Sequence, residues 1–483
     1  MSELLKLEPT SVFYYFDKIC AIPHASYHTR EIINYLAAFA IEKGLRYVQD
    51  QADNVVIFKP GTAGYEESAP VILQGHMDMV AEKTRESSID MLKESLTPYV
   101  EDGFVKAKDT TLGGDDGIAV ACMLAILAAD DIPHPPIEAV FTSDEEVGML
   151  GAAALDCSIL KGRLMLNMDN ELEGNFLVSC AGGISVTCHT PLHRMTDMMV
   201  RYQLSIHGLT GGHSGAEIHK YRASANVLAG RLLNALDHQA EFYIAAMEGG
   251  SKDNAIPTAN DMTLYVNPAD CDAFEECIKT TEAEFKHEYA STDPNLAITY
   301  KRGPEEISNM LTEDSTKLIT FLLMQYPNGV QRMSQEIEGL VESSLNLGIL
   351  KLTGNTLSCT FSVRSSVTSA KEALVDKLVS ITEFTGGYCD FEGDYPAWEY
   401  KKDSPLRELA LKTYQQMYPD HHCEAEAIHA GIECGIFSDK LPGLQCISYG
   451  PDLFDIHTPR ERMSIESVAH IWDFTLRMLA LLK

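Results

Sequence analysis

In the first part of the chain, the apolar residues follow a helical pattern in some segments and an extended pattern in others. In residues 30–44, REIINYLAAFAIEKG, the apolar positions recur at the spacing of an amphipathic helix that Gly44 would end. Residues 11–20 and 115–130 also favour helices, and Asp116 is a plausible N-cap of the latter.

Three short segments carry almost uninterrupted apolar residues, namely 69–74 (APVILQ), 137–143 (IEAVFTS) and 163–168 (RLMLNM). Strands that are covered on both faces have this composition, because neither face meets water. Residues 445–450 (QCISYG) form a fourth such segment, with a helical segment between the first two and another before the fourth. The pattern predicts an α/β fold with a largely parallel sheet.

Near residue 186 the pattern changes to alternating strands and separate helices. Residues 198–209 (MMVRYQLSIHGL) and 356–366 (TLSCTFSVRSS) alternate as half-exposed strands do. Strong helical patterns cover residues 216–236 and 371–387. This part of the chain is therefore predicted to form an α+β domain.

The length of the chain bears on its domain organisation. A chain of 483 residues exceeds what one compact core usually holds. The buried-strand and helix patterns return after residue 396, so we predict that the first domain is discontinuous. It would comprise residues 1–185 and 396–483, with an α+β domain of residues 186–395 inserted in it.

The charge and composition of the chain bear on its possible partners and on its location. The formal charge of -32 argues against binding to nucleic acid or to anionic membranes, because both bind basic protein surfaces. No apolar run approaches the ~18 residues that cross a bilayer, and residues 1–20 lack the pattern of a signal peptide. We therefore expect a cytoplasmic protein without nucleic-acid or membrane partners. The cysteines are expected to be reduced, and the role of Cys434 stays open.

Histidines and acidic residues follow the predicted buried strands. His76 follows the first strand, Glu146 the second and Asp169 the third. His457 lies in the loop after the fourth strand, and Asp115 lies at the start of a predicted helix. Because sites in open α/β sheets form at the carboxyl ends of the strands, we expect these side chains to converge.

Any one of these residues alone would favour an ordinary loop position, because strands end at the surface. Together, the five form a mixed imidazole and carboxylate set that suits zinc or a similar divalent ion. Five ligands are too many for one catalytic zinc and suit two ions about 3.5–4 Å apart, with one carboxylate bridging them. We expect Zn²⁺, although Mn²⁺ and Co²⁺ tolerate the same ligands.

A series of motifs runs along the chain in the order HMDMV, TTLGGDDG, TSDEEVGMLGA, NMDNE, GLTGGHSG and AIHAGIECG. In these motifs the sequence resembles the M20 metallopeptidase family, and it is most similar to the Xaa-His (aminoacyl-histidine) dipeptidase branch. The resemblance extends from about residue 5 to the C-terminal residues. It implies a zinc aminopeptidase-like catalytic domain with an inserted lid domain, two divalent metal ions and a homodimer.

The resemblance implies a role for each residue at the strand ends. His76 and Asp169 would bind one ion. Glu146 and His457 would bind the other, and Asp115 would bridge the two ions.

The resemblance also implies residues that act on the reaction itself. Asp78 would hydrogen-bond the His76 imidazole and fix its tautomer. Glu145 would be the general base, because adjacent residues at a strand end point in different directions and Glu146 is used by the metal. His213, in the glycine-rich GGHSG turn, would donate a hydrogen bond to the developing oxyanion.

Four further residues are candidates for substrate binding. Arg364, in SVRSS, could grip the C-terminal carboxylate of a dipeptide bidentately, or it could be a solvated strand arginine. Asn254 and Asn346 resemble positions that line the cleft in the family. Glu433, in HAGIECG, could meet the free amine of the substrate, or it could order the residues around the metals.

The sequence therefore predicts a two-metal hydrolase that cuts dipeptides, above all Xaa-His dipeptides such as β-alanyl-histidine. Two alternatives stay open. An N-acyl amino acid deacylase on the same scaffold would need no site for a free amine, and it would turn over substrates with a blocked N-terminus. A non-catalytic, metal-dependent binding protein would have no need of a base such as Glu145.

Overall fold

The computed structural model describes residues 2–483 of the chain. Its α-helices are α1 Thr10–Cys20, α2 Arg30–Glu42, α3 Gly114–Ala128, α4 Leu150–Ala154, α5 Ala225–Asp237, α6 Cys271–Glu288, α7 Glu313–Gln325, α8 Thr368–Phe384, α9 Pro405–Met417, α10 Glu433–Lys440 and α11 Ile465–Leu481. Its strands are β1 Arg46–Gln49, β2 Val55–Lys59, β3 Val71–His76, β4 Pro98–Glu101, β5 Phe104–Ala107, β6 Ile137–Thr142, β7 Leu164–Asn167, β8 Asn175–Cys180, β9 Gly182–Pro191, β10 Arg194–His207, β11 Phe242–Gly249, β12 Asn260–Val266, β13 Ala297–Leu311, β14 Gly329–Met333, β15 Val341–Thr353, β16 Thr356–Ser365, β17 Tyr388–Tyr395, β18 Glu424–Ile428, β19 Gln445–Ser448, β20 Leu453–Phe454 and β21 Arg462–Ser464. Short 3-10 helices occur at Glu3–Lys6, Cys157–Ile159, Ile218–Lys220 and Pro268–Asp270.

The chain folds into two compact units. The first contains the chain up to Cys180, Tyr400–Ala427 and Ile432–Lys483. The second contains Ala181–Glu399 and a short return segment, Ile428–Gly431. The domain limits derived from the sequence, 1–185, 186–395 and 396–483, stay a prediction.

The first unit is built on a sheet with the strand order β1-β2-β6-β3-β7-β19-β8-β18. The pairs β6–β3, β3–β7 and β7–β19 are parallel, whereas β1–β2, β2–β6 and β19–β8 are antiparallel. The four parallel strands are the four apolar segments of the sequence, and β3 and β6 are buried along their whole length. Their carboxyl ends therefore lie at one edge of the sheet. A small antiparallel sheet, β20-β21-β5-β4, belongs to the same unit.

Helix α3 shows why the central strands carry apolar residues on both faces. It contacts β3 and α1, and every residue from Gly114 to Leu127 is buried. A helix that is apolar all round belongs in the interior of a protein. The core of this unit therefore contains α3 with strand and helix residues packed around it.

Helix α3 spans Gly114–Ala128, but Asp115 and Asp116 within it have non-helical φ/ψ angles, so the regular helix starts directly after Asp116. Asp116 therefore stands where an N-cap residue was predicted, although its carboxylate is used elsewhere. Asp116 instead accepts a hydrogen bond from the main-chain N–H of His76, with Oδ2 3.1 Å from that nitrogen. A Cβ atom at Gly75 would lie 2.5 Å from the same oxygen, so the strand needs a glycine beside His76.

The second unit is an antiparallel sheet covered by helices. Its strands follow the order β13-β10-β12-β11-β15-β16-β9-β17, with β14 paired to β15. Helices α5, α6 and α7 and the sheet contribute to one apolar core, in which Leu232, Phe274 and Ile319 are fully buried or nearly so. The predicted fold class, an α/β domain with an inserted α+β domain, is confirmed.

Most elements predicted from the sequence occur at the predicted positions, but the helix at 216–236 starts later. Helix α5 begins at Ala225, and a 3-10 turn at Ile218–Lys220 precedes it. Tyr221 has a left-handed φ of 52°, which interrupts the helical path. The main-chain N–H of Ala216 donates to the ring of His213 instead of opening a helix.

Within residues 2–483, no helix combines the length and the apolar character that are required to span a membrane.

The burial of helix α2 yields a prediction for stability. Ile33 is 0% exposed and Ile41 is 67% exposed, although both are isoleucines of the same helix. Ile33→Ala should lower the free energy of unfolding by about 2–5 kcal/mol, because it leaves a cavity. Ile41→Ala should change it by about 0.5 kcal/mol or less. Urea unfolding curves measure both, and equal effects would contradict the described packing of α2.

Candidate metal and catalytic site

The residues predicted to bind metal come together in the first unit. His76 is the last residue of β3, and Asp115 lies at the start of α3. Glu146 and Asp169 follow β6 and β7, and His457 lies between β20 and β21. Because β3, β6 and β7 are parallel neighbours, the residues at their carboxyl ends meet at one edge of the sheet.

Asp115 lies between two histidines. Its Oδ1 is 3.1 Å from Nε2 of His76, and its Oδ2 is 3.1 Å from Nε2 of His457. His457 Nε2 is also 2.9 Å from Glu146 Oε1. His76 Nε2 is 3.8 Å from Asp169 Oδ1. Two groups of side chains therefore share Asp115, one through each carboxylate oxygen.

The spacing and chemistry of these atoms fit divalent cations. Ligand atoms bound to zinc at about 2.0–2.1 Å in a tetrahedron lie about 3.3 Å from one another. One potential ligand atom from each of Asp115, Glu146 and His457 lies within 4.8 Å of the other two, and the same holds for His76, Asp116 and Asp169. Within residues 2–483, Asp115 and Glu146 form ion pairs with histidine side chains and with no lysine or arginine. The residues present thus fit the two divalent ions that the family resemblance implies.

The close contacts in the cluster shift the pKa values of its members in both directions. Hydrogen bonds to Asp115 and Glu146 raise the pKa of His457 to about 10. Burial alone would raise the pKa of Asp115, but hydrogen bonds with His457 and His76 hold it below its usual value. Burial raises the pKa of Asp169 well above its usual range. A cation that binds here must displace protons, so its affinity should rise with pH.

The orientation of the His76 ring is fixed from the side opposite Asp115. Its Nδ1 is 2.9 Å from the main-chain oxygen of Asp78, whereas the Asp78 carboxylate is 3.6 Å away. The main-chain carbonyl therefore accepts the Nδ1 proton, which leaves Nε2 free for a metal. The carboxylate of Asp78 accepts hydrogen bonds from the Glu145 N–H at 3.0 Å and the Ser26 hydroxyl at 2.8 Å. Asp78 thus connects His76 to the proposed base.

Glu145 lies beside the predicted metal ligands, and one of its oxygens is within 4.8 Å of a potential ligand atom of His76 and of Glu146. Burial raises the pKa of its carboxyl to about 8, and the like charges of Glu433 and Glu146 add to the effect of burial. A divalent cation nearby would lower this pKa again. A carboxyl group whose pKa lies near neutrality can both accept and return a proton.

Glu461 was not identified from the sequence, although it positions Asp115. Its Oε2 accepts hydrogen bonds from the N–H groups of Leu112 and Gly113 at 2.7 and 3.1 Å. Its Oε1 accepts from those of Gly114 and Asp115 at 2.8 and 3.4 Å. One buried carboxylate thus holds the loop that presents the shared ligand. No motif signals this residue, because its partners are main-chain groups far away in sequence.

Glu433 is fully buried at the start of α10. Its Oε2 accepts hydrogen bonds from Gln74 at 2.5 Å and Thr142 at 2.7 Å, on β3 and β6. Burial raises its pKa to about 7. Its Oε1 is buried without a hydrogen-bond partner in the described chain, so Oε2 orders the neighbouring strands and both interpretations from the sequence stay open.

In the second unit, His213 is held in one tautomer. Its Nδ1 accepts hydrogen bonds from the N–H groups of Gly215 at 3.1 Å and Ala216 at 3.0 Å. Burial lowers its pKa, and the charge of Arg364 lowers it further. The neutral ring therefore carries its proton on Nε2, which is free to donate. This is the chemistry that an oxyanion requires.

Arg364 lies near His213 and is only 9% exposed, so it is not a solvated strand arginine. Its Nη1 donates to the Tyr395 hydroxyl at 2.9 Å, and its Nε is buried without a partner in the described chain.

His429 is a further polar residue near Arg364 in the second unit. Its Nε2 lies 2.7 Å from the Ser344 hydroxyl, and burial, with the charge of Arg364, lowers its pKa to about 3. His429 lies in the AIHAGIECG motif, which could have identified it.

The two predicted asparagines lie in the second unit and have different surroundings. Asn346 is buried on β15, and its amide donates to the main-chain oxygens of Asp253 and Ala255 at 2.8 and 2.9 Å. These hydrogen bonds hold the loop that carries Asn254. The side chain of Asn254 itself is exposed. Asn254 also accepts a hydrogen bond from Ser214, next to His213, through its main-chain oxygen at 2.9 Å.

Cys434 follows Glu433 on α10 and is fully buried, 3.1 Å from the sulfur of Cys446. Burial raises the pKa of its thiol well above the usual value. A buried, protonated thiol is neither a nucleophile nor a metal ligand. The structure gives Cys434 a packing role.

Comparison with known proteins places this geometry in a wider context. Residues 72–480 match the model of peptidase family M20/M25/M40. The sequence is 36% identical over 481 residues, 99% of each chain, to the cytosol non-specific dipeptidase of Escherichia coli (strain K12). The fold is similar to the crystal structure of aminoacylhistidine dipeptidase from Vibrio alginolyticus, with a TM-score of 0.92 and 35% identity over 100% of this chain and 98% of that one. The aminopeptidase PepT from Bacillus cereus shares the fold at a TM-score of 0.57, with 15% identity over 99% of each chain.

The hydrogen bonds of Glu461 predict that it supports metal binding. Glu461→Gln replaces one acceptor oxygen with an amide donor that faces main-chain N–H groups. We expect metal affinity to fall by about 10- to 100-fold, as for other residues that orient ligands. Glu86→Gln, at an exposed position, is the matched control and should have no effect. Competition with a chelator measures the metal affinity of both variants. An unchanged affinity in Glu461→Gln would show that Glu461 does not position Asp115 for metal binding.

Proposed function

Because the chain belongs to peptidase family M20/M25/M40, we propose that it hydrolyses dipeptides, including Xaa-His dipeptides such as β-alanyl-histidine. The names of two full-length relatives, a non-specific dipeptidase and an aminoacylhistidine dipeptidase, support this substrate class. The observation that carries the proposal is Asp115, with one oxygen 3.1 Å from His76 and the other 3.1 Å from His457. This arrangement suits a hydrolase that uses two metal ions.

We propose two bound divalent ions, with Zn²⁺ as the occupant. His76 and Asp169 would hold one ion, Glu146 and His457 would hold the other, and Asp115 would contact both. Bound there, the ions would supply Lewis acidity that polarises the peptide carbonyl and acidifies water. The mixed imidazole and carboxylate ligands support zinc, and the same ligands would also accept Mn²⁺ or Co²⁺.

Glu145 would act as the general base. Its main-chain N–H is tied to the Asp78 carboxylate, which fixes the start of the Glu145–Glu146 pair. The Glu145 carboxylate would take a proton from the attacking water and return it to the nitrogen of the leaving amine. Its raised pKa favours the second of these transfers, and a cation beside it favours the first.

The second unit would supply the groups that bind the substrate. His213 would donate a hydrogen bond from its Nε2–H to the oxygen of the scissile carbonyl as negative charge develops there. Arg364 would bind the terminal carboxylate of the dipeptide bidentately. His429, 2.7 Å from the Ser344 hydroxyl, is a further polar group beside Arg364. Asn346 would act indirectly by fixing the loop of Asn254.

A cytoplasmic location and a homodimer are part of the proposal. The name of the Escherichia coli relative supports the location. The homodimer follows from the family resemblance of the motifs, and sedimentation equilibrium of the full chain tests it. A molar mass of a single chain at micromolar concentration would exclude the dimer.

Replacement of Glu145 tests the assignment of the base. Glu145→Gln should lower kcat for β-alanyl-histidine and alanyl-histidine by about 10²- to 10⁴-fold, because the proton acceptor is lost. The metal content should stay that of the wild type. Asp144→Asn, at the neighbouring carboxylate, is the control and should keep most of the activity. Wild-type turnover in Glu145→Gln would refute the role.

The same assay separates the proposed function from its alternative. N-acetyl-histidine should not be cleaved, because a dipeptidase binds a free amine. Cleavage of N-acetyl-histidine in preference to the two dipeptides would assign the chain to the deacylases.

Removal of Arg364 tests recognition of the carboxylate. Arg364→Ala should lower kcat/KM for alanyl-histidine by roughly 10- to 150-fold, which corresponds to a charged hydrogen bond of about 1.5–3 kcal/mol. Alanyl-histidine amide lacks the carboxylate, so the wild type and the variant should cleave it at similar rates. An equal loss for both substrates would show that Arg364 acts only on the structure of the second unit.

A further inference from the structure

A second group of histidine and carboxylate side chains lies in the first unit and shares no residue with the cluster described above. It consists of Glu173, His421 and His470, which come from three separate segments. Glu173 lies between β7 and β8, His421 follows α9, and His470 lies on α11. One potential ligand atom from each residue lies within 4.8 Å of the other two.

The distances in this group suit metal ligands as well as hydrogen bonds. Nδ1 of His470 is 2.9 Å from Oε1 of Glu173, and Nδ1 of His421 is 3.3 Å from the same oxygen. Ligands of a tetrahedral zinc ion are about 3.3 Å apart. Two imidazoles and one glutamate also form the protein ligand set of a well-known class of zinc site.

Hydrogen bonding alone explains this arrangement poorly. Oε1 of Glu173 also lies 2.5 Å from the hydroxyl of Tyr414, so three donors would converge on one oxygen. A carboxylate oxygen offers about two lone pairs. An ion between the two imidazoles and the carboxylate would replace two of these donors, because each Nδ1 would then give its lone pair to the metal.

The side chains of the group are held in place by their neighbours. The ring of Tyr418 lies 4.5 Å from that of His470 and 5.4 Å from that of His421, measured between centroids. The main-chain N–H of His421 donates to the carbonyl of Tyr418 at 3.1 Å, which closes the turn after α9. Little conformational freedom would therefore be lost when an ion binds.

Solvent and ions can reach the group. The side chains of Glu173, His470 and His421 are 9%, 21% and 42% exposed. They line a cavity of about 360 Å³, whose other charged residues include the acidic Asp420 and Asp452. No lysine or arginine of the described chain lines this cavity. It therefore offers negative charge and room for water molecules that would complete the coordination of a cation.

We propose that Glu173, His421 and His470 form a separate binding site for a divalent cation of the Zn²⁺ type, with three protein ligands and water. The site goes beyond the proposed function and does not depend on it. A bound ion would link the β7–β8 loop to α11 and to the end of α9. The main-chain N–H of Glu173 donates to Asp452 at 2.8 Å, so the ion would also stabilise the loop after β19.

The number of zinc ions bound by the full chain tests the site. Wild type, the double variant His421→Ala with His470→Ala, and His287→Ala are dialysed against the same concentration of Zn²⁺, and the metal is measured by mass spectrometry. His287 is an exposed histidine of α6, so its replacement controls for the loss of a surface imidazole. We expect the double variant to hold one zinc ion per chain fewer than the wild type and the control. Equal contents in all three would overturn the proposal.

Thermal unfolding gives a second test that does not depend on the double variant. His421→Asn changes one partly exposed side chain outside the helices and strands and should fold normally. Zinc should raise the unfolding temperature of the wild type more than that of His421→Asn, because a ligand that binds only the folded state stabilises it. Equal shifts would overturn the site. Failure of the proposed function would look different: wild-type protein that binds zinc at this group but cleaves no dipeptide would contradict the proposed function and leave the site standing.

Discussion

The candidate centre depends on one carboxylate. Asp115 faces His76 with one oxygen and His457 with the other, at 3.1 Å in each case, so it joins two groups of ligands into one site. It can do so because the buried carboxylate of Glu461 gathers the N–H groups of the preceding loop. Four parallel strands bring the remaining ligands to the same edge. The fold of the first unit thus fixes the direction of the Asp115 side chain.

Much of the fold, and the convergence of histidine and acidic side chains at the strand ends, could be predicted from the sequence, whereas the role of these side chains as metal ligands stays a prediction. The buried strands have nearly unbroken apolar runs, and residues that follow parallel strands must lie at one edge of the sheet. The family resemblance, the fold class and the assignment to the hydrolases of peptide bonds are confirmed. The roles of Glu145, His213 and Arg364 stay predictions, which the described contacts support without testing them.

Other features were beyond sequence reasoning for physical reasons. Glu461 acts on main-chain N–H groups, and these have no signature in the sequence. The glycines predicted the turn that contains His213, but the helical pattern of residues 216–236 did not reveal that the N–H of Ala216 donates to the His213 ring before the helix begins. Glu173, His421 and His470 come from three segments that are distant in sequence, so no residue spacing within one segment indicates that they form a group.

An anomalous-scattering measurement on crystals of the zinc-loaded protein tests the central claim most directly. At this centre the account predicts two zinc peaks, separate from any peak at Glu173, His421 and His470, with one on each side of the Asp115 carboxylate and each about 2.0–2.2 Å from one of its oxygens. One of these peaks should lie beside His76 and the other beside His457. A single peak, or two peaks of which neither contacts Asp115, would contradict the claim that this side chain joins the two halves of the site.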